Sequence, residues 1–276
     1  DTAAQQLGLE FMRQLAQLAA SPLHLALEIS QMAVEQPGHL VQGQRALGHP
    51  LAAGRRPDLI MTVDNGISSL EGVAAAQQLG IPNLAFCSLN WAELYQHFFA
   101  ARPEAAPILE QMLDAYNGAL CFLQPAPAMR MPGIENGFSI GPVAQLGNDV
   151  AGALRTRLGI DPATALVLFS VGGMEISTPC DGWPRFPGLH LLVPETWNSR
   201  HPDTTALETL GYSFADLMRS CDVLIAKPGY GSFVEAACLG KPVLYLPRPN
   251  WPEAPILIDW LMQHGICMQL QYADFH

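Results

Sequence analysis

The stretch CDVLIAKPGYGSFVEAACLGKPVLYLPRP, residues 221–249, decides how the second half of this chain folds. CDVLI is a short β-branched run of the kind that fills a buried parallel strand. SFVEAACLG reads as a helix capped by Ser232 and stopped by Gly240, and VLYLP reads as the next strand. Between strand and helix, Gly229 and Gly231 would let the backbone turn tightly and bring its N–H groups close to a partner. A helix N-terminus behind such a loop favours an anion. A lone Gly-x-Gly would be read as a plain turn, so its surroundings must decide.

Outward from this stretch the same rhythm continues. DVAGALRTRLG reads as a helix, ALVLFSV as a strand, GGMEIS as a loop, LHLLVP as a strand and FADLMRSC as a short helix. After VLYLP come the helix EAPILIDWLMQHG and the strand CMQL. Upstream, DLIMTVD, NLAFCSL and LCFL read as strands, with helices SSLEGVAAAQQLG, WAELYQHFF and EAAPILEQMLDAYNGA among them. The opening segment places Leu7, Phe11, Leu15 and Leu18 at helical spacing, and a second helix, LHLALEISQMAVEQ, follows Ser21-Pro22. A Pro- and Gly-rich passage from Pro125 to Gly147 is the expected linker. Strands alternating with helices imply βαβ units and parallel sheets. The expectation is an α/β protein of two Rossmann-like domains, residues 1–140 and 141–276, facing a central cleft.

Composition narrows the function classes. The 276 residues carry a formal net charge of -11, which argues against nucleic acid as the partner. Only 14% are charged, and no apolar run is long enough to span a bilayer. The six cysteines form no C-x-x-C pair, and most sit in or beside apolar segments where a thiol packs as a small hydrophobe. A reduced, cytoplasmic protein is expected, with peripheral membrane association left open.

The order of motifs in the second half resembles the carboxy-terminal domain of the two-Rossmann (GT-B) glycosyltransferases. The residues carrying it are FSVGGM (169–174), LHLLVP, CDVLIAKPGYGS, the helix with Glu235, and VLYLPRPNWPE. The family that adds N-acetylglucosamine to the lipid-linked peptidoglycan precursor is one relative. KPGYGSFVEA is also similar to a segment in sugar kinases acting on arabinose, and with CSLNWAELY it looks like a group of bacterial glycosyltransferase-like proteins.

The resemblance implies a nucleotide-sugar donor, UDP above all, and no prosthetic group or metal. Gly172, Gly173, Gly229, Tyr230, Gly231 and Ser232 would hold the diphosphate through backbone donors. Lys227 could offset its charge or stay a solvated strand-end side chain; Glu235 would accept both ribose hydroxyls, and Glu253, ahead of Arg248 and Asn250 as a candidate, lies on the loop where the family contacts the sugar or phosphates. By spacing alone Glu235 could equally return a capping-box bond, three residues past Ser232. The acceptor is not implied. One departure stands out: these transferases open on a strand and a Gly-His loop, whereas here a helix comes first and Gly38-His39 follows no strand. The amino-terminal domain is therefore expected to be incomplete, and no catalytic base is assigned.

Other constellations compete. TVDNGISSLEGVAAAQQLGIP resembles a metal-site motif of the DHH phosphoesterases, which would make Asp64 a manganese ligand. That chemistry needs converging carboxylates and histidines, and nowhere does the chain read Asp-His-His. Trp91 could stack on a sugar or pack between helices. No His-x-x-x-His pair, Gly-x-Ser-x-Gly elbow or P-loop lysine is present. Three functions remain in view. The leading one is a glycosyltransferase; a non-catalytic nucleotide-sugar-binding protein on the same scaffold and a manganese phosphoesterase are the alternatives.

Overall fold

The computed structural model describes residues 60–63, 80–171, 180–185 and 187–271. The chain divides into two compact units, Asp1–Val143 and Ala144–His276. The two opening helices expected before residue 60, and the helix expected around 68–80, lie outside the described residues.

In the first unit, strands β1 (Ile60–Val63), β2 (Asn83–Phe86), β3 (Cys121–Pro125) and β4 (Gly137–Ile140) form a parallel sheet in that order. Two helices, α1 (Trp91–Phe99) and α2 (Ala105–Asn117), connect β2 to β3. Asn90 caps α1, its side-chain oxygen accepting the Glu93 N–H at 2.8 Å. Leu84, Phe122 and Leu123 have no solvent exposure, as expected of strands covered on both faces. β4 lies within the passage expected to be the linker. Its residues pair in register with β3, Phe122 opposite Gly137 and Pro125 opposite Ile140. An edge strand with alternating exposure can carry the glycine and serine that made the segment look irregular.

The second unit holds a six-stranded sheet. Helix α3 (Ala151–Leu158) precedes β5 (Ala165–Ser170), and β6 (Leu189–Val193) and β7 (Thr204–Ala206) follow. Then come α4 (Phe214–Ser220), β8 (Val223–Ala226), α5 (Tyr230–Cys238), β9 (Val243–Tyr245), α6 (Ala254–His264) and β10 (Cys267–Gln269). All neighbours are parallel, in the order β10-β9-β8-β5-β6-β7. The chain thus starts mid-sheet at β5, builds outward to β7, returns to β8 and builds the other way. That is a doubly wound order, with its reversal point between β5 and β8.

The alternation of strand side chains makes two apolar layers from one strand. Leu166 and Leu168 of β5 join Leu224, Phe233, Leu257 and Leu261 on one face. Val167 and Phe169 join Leu191, Val193, Ile225 and Trp197 on the other. Each fully buried leucine contributes about 2 kcal/mol by burial alone, so β5 and β8 are firmly fixed. Asp222, just before β8, adds a polar clamp: its Oδ2 accepts the Leu166 N–H and the Arg155 guanidinium, each at 2.7 Å.

Candidate functional site

At the reversal point the carboxyl ends of β5 and β8 lie side by side, Ser170 opposite Ala226. Chains diverging from such a point leave a crevice outside the strand ends, the usual ligand position in open α/β sheets. The loop Lys227–Gly229 leaves β8 here, and α5 begins at Tyr230 with Gly229 as its N-cap.

The expected cap is therefore corrected. Ser232 does not open the helix; it is the third helical residue, and Gly229 takes the cap without any side-chain bond. The helix's first ladder bond runs from Phe233 N–H to Gly229 carbonyl oxygen at 3.1 Å. The Gly231 and Ser232 N–H groups precede that ladder and point out of the helix end. Relieved of capping, the Ser232 hydroxyl lies 2.8 Å from the Ser170 hydroxyl, tying the end of β5 to the first turn of α5. Sequence gave no signal for Ser170, which sits 62 residues away.

The glycines are not there for a strained turn. Gly229 has φ -159°, extended backbone that any residue adopts. A Cβ added to Gly231 would meet nothing within 4 Å, and one on Gly229 would meet only the Lys227 carbonyl, at 3.9 Å. Among the described residues, neither conformation nor packing requires either glycine. Close approach of another group to the backbone is a physical use that such open glycines permit. Tyr230 contributes backbone here, since its side chain packs against the inner core.

Glu235 lies in the second turn of α5, too far along to return a bond to the cap, so the capping-box alternative does not hold. Its Oε1 accepts the Gln145 N–H at 3.4 Å, a long bond to the segment entering the second unit. Burial pushes its carboxyl above the ordinary glutamate range, and that bond opposes the shift. A half-buried carboxylate with one long bond retains capacity for further donors, such as a vicinal diol.

Two cations stand at the same strand ends. Lys227 leaves β8, and Arg248 follows β9; just beyond β9, the Leu246 N–H bonds the Ala226 carbonyl at 2.9 Å. Burial, and then the Arg248 charge, hold the Lys227 ammonium below its usual range. Among the described residues neither cation has an acidic partner within ion-pair distance. The Arg248 guanidinium lies over the Trp251 ring, 4.0 Å from its centroid. The Trp251 indole N–H reaches Glu253 Oε2 at 3.3 Å. Glu253 is only 4% exposed and directly precedes α6, so its carboxylate faces its own loop's indole.

The structure thus brings Lys227, Gly229, Tyr230, Gly231, Ser232 and Glu235 onto one strand–loop–helix stretch, with Arg248 and Glu253 on the neighbouring loop. Gly172 and Gly173 follow the end of β5 in sequence but lie outside the described residues, as does Asp64. Among the described residues no group of three or more His, Cys, Asp or Glu side chains could hold a metal ion. No described helix is long and apolar enough to cross a membrane. Trp91, 36% exposed at the start of α1, belongs to the first unit, where its backbone N–H bonds the Tyr116 hydroxyl at 3.3 Å.

No family model matches the chain, and no curated protein matches its sequence. Solved structures do match. The glycotransferase of kitacinnamycin aligns over 80% of this chain and 65% of its own length, at 16% identity and a TM-score of 0.50. The Phytolacca americana protein UGT2, solved with UDP-2fluoro-glucose and pterostilbene, aligns over 91% of this chain and 70% of its own, at 14% identity and a TM-score of 0.50. The chain thus spans less than two thirds of the first of these proteins. At such identities the likeness is one of fold: the α/β units on parallel sheets are those of the GT-B glycosyltransferase architecture.

Proposed function

We propose that the second unit binds a nucleotide sugar, UDP-linked, and that the chain serves a metal-independent, inverting glycosyl transfer. In that reaction an acceptor hydroxyl attacks the anomeric carbon and gives its proton to a base, the carbon–oxygen bond to the diphosphate breaks, and the nucleoside diphosphate departs with the electron pair. The observation that carries the reading is a pair of glycines that the described residues do not require, at a helix N-terminus on the reversal point of a doubly wound sheet. The Gly231 and Ser232 N–H groups would take the diphosphate, and the α5 dipole would favour its charge. Lys227 and Arg248 would supply the neutralisation that a metal supplies elsewhere, and Glu235 would accept the ribose hydroxyls. Gly172 and Gly173 would close the phosphate site from β5, with Glu253 on the sugar side. The likeness in fold to glycosyltransferases supports the same reading.

The test is calorimetric titration with UDP, GDP, ADP and dTDP on wild type and Glu235→Ala. Binding of UDP that weakens at least tenfold in the variant is the expected result. Absence of binding by every nucleotide would sink the donor site. Release of UDP from a UDP-sugar then separates a transferase from a protein that only binds its ligand.

A further inference from the structure

We propose that Ser170 is a positioning residue that turns the Ser232 hydroxyl into a dedicated anion donor at the start of α5. The proposal rests on the phosphate reading of this loop and adds to it a residue from a different strand.

The argument begins with hydrogen counting. A serine hydroxyl has one hydrogen to give and two lone pairs to receive with. The two oxygens are 2.8 Å apart, so one hydroxyl donates to the other, and the geometry allows either direction. If Ser232 donates to Ser170, its only hydrogen is used inside the protein. If Ser170 donates to Ser232, the Ser232 hydrogen is left for a partner in front of the loop. An anion seated on the Gly231 and Ser232 N–H groups can accept that hydrogen and cannot donate one. Its arrival selects the second direction, and the two hydroxyls become a relay ending on the anion.

Placement supports this role. Ser170 is the last residue of β5, a strand fixed by both apolar layers, and its backbone is paired opposite Ala226. Ser232 sits on the helix that begins beyond the loop from that same Ala226. The hydroxyl bond therefore spans the reversal point, linking the two strands whose divergence opens the crevice. Both side chains are half-buried. A bond that served only to knit strand to helix would make no difference to which way the hydrogens point. A relay makes that difference measurable.

The experiment is titration of wild type, Ser170→Ala, Ser170→Thr, Ser232→Ala and the double Ala variant with UDP, uridine and inorganic pyrophosphate, followed by calorimetry and by the phosphorus resonance. Ser232→Ala should weaken UDP and pyrophosphate by about tenfold or more, the size of a hydrogen bond to a charged group, and Ser170→Ala by a smaller factor of about two to five, because the Ser232 hydrogen remains but is no longer oriented by a donor behind it. The double variant should lose little more than Ser232→Ala alone, because the first residue acts through the second. Ser170→Thr, which keeps a hydroxyl, should restore affinity, and uridine should be unaffected throughout. Full pyrophosphate affinity in Ser170→Ala, or losses that simply add in the double variant, would overturn the relay while leaving the nucleotide reading intact. Pyrophosphate binding with no UDP binding in wild type would overturn the nucleotide reading and leave the relay to be judged on pyrophosphate. Binding of neither by wild type would overturn both.

Discussion

The guanidinium of Arg248 lies 4.0 Å above the ring of Trp251, whose indole N–H reaches the buried carboxylate of Glu253 at 3.3 Å. One aromatic side chain thus holds a cation on its face and a carboxyl oxygen at its edge. Stacking restricts an arginine that would otherwise sample many rotamers, so less order is lost when it meets a ligand. Trp251→Leu removes both restraints. It is expected to weaken pyrophosphate or UDP by roughly three- to tenfold, the size of one partly desolvated cation–π contact. Affinity measured against salt concentration should keep its slope, because the arginine charge remains; Arg248→Met should flatten that slope as well.

Lys227 provides a proton-linked signature. Its ammonium is held below the ordinary lysine range by burial and by Arg248, and a bound diphosphate would push it back up. In the pH window between the depressed value of the unliganded protein and the raised value of the complex, binding takes up a proton. Affinity should therefore fall as pH rises through the unliganded value, which lies below 10.5. Calorimetry in buffers of different ionisation enthalpy reads this uptake directly. Lys227→Met should abolish it, and Arg248→Met should shrink it by letting the unliganded lysine hold its proton more tightly.

Glu235 carries the opposite trade between stability and ligand. Its folded pKa is raised, with burial the larger cause. The folded state therefore binds more protons than the unfolded one between the glutamate value of 4.5 and the raised value. The resulting cost to stability develops as pH rises through that window and is fully present above it; acidification removes it. Glu235→Gln should be at least as stable as wild type above the window, with the difference vanishing as pH falls below 4.5. The same variant should weaken UDP by tenfold or more, since a neutral amide is a poorer acceptor for two hydroxyls. Denaturant midpoints at several pH values, set beside UDP affinity, check both halves.

The sequence carried the second unit's architecture because each strand there is a short apolar run bounded by glycine, proline or a helix. CDVLI, VLYLP and ALVLFSV each became a strand of the parallel sheet. Misjudgements fell where local preference and tertiary context disagreed. Ser232 has the better capping side chain, but the helix begins at Tyr230 with the extended Gly229 as its cap, leaving the serine to face Ser170. Gly137–Ile140 has little strand propensity of its own and is a strand only because β3 offers an open edge. The contacts that shape the site were beyond any local pattern. Ser170 meets Ser232 across 62 residues and Gln145 meets Glu235 across 90, and spacing cannot report pairs so distant.

Glycines in the second unit make a controlled contrast, because two of them have opposite reasons to exist. Gly147 sits in the left-handed region at φ +59°, and a Cβ there would lie 2.3 Å from the backbone carbonyl of Ala215. Neither backbone can yield cheaply, since the next residue is fastened to α4 through the Asn148 amide and Asp216. Gly147→Ala should cost at least about 2 kcal/mol in stability from conformation and clash together. Gly231 is helical and open, and a Cβ would meet nothing within 4 Å. Gly231→Ala should therefore keep the fold and gain up to about 1 kcal/mol of helix propensity. Its methyl group would occupy the space in front of the first-turn N–H groups, where a phosphate must come within hydrogen-bonding distance. UDP and pyrophosphate affinity should fall by at least tenfold while thermal stability holds or rises. If Gly231→Ala binds both ligands as tightly as wild type, the glycine is not reserved for a ligand, and the phosphate site must be sought away from α5.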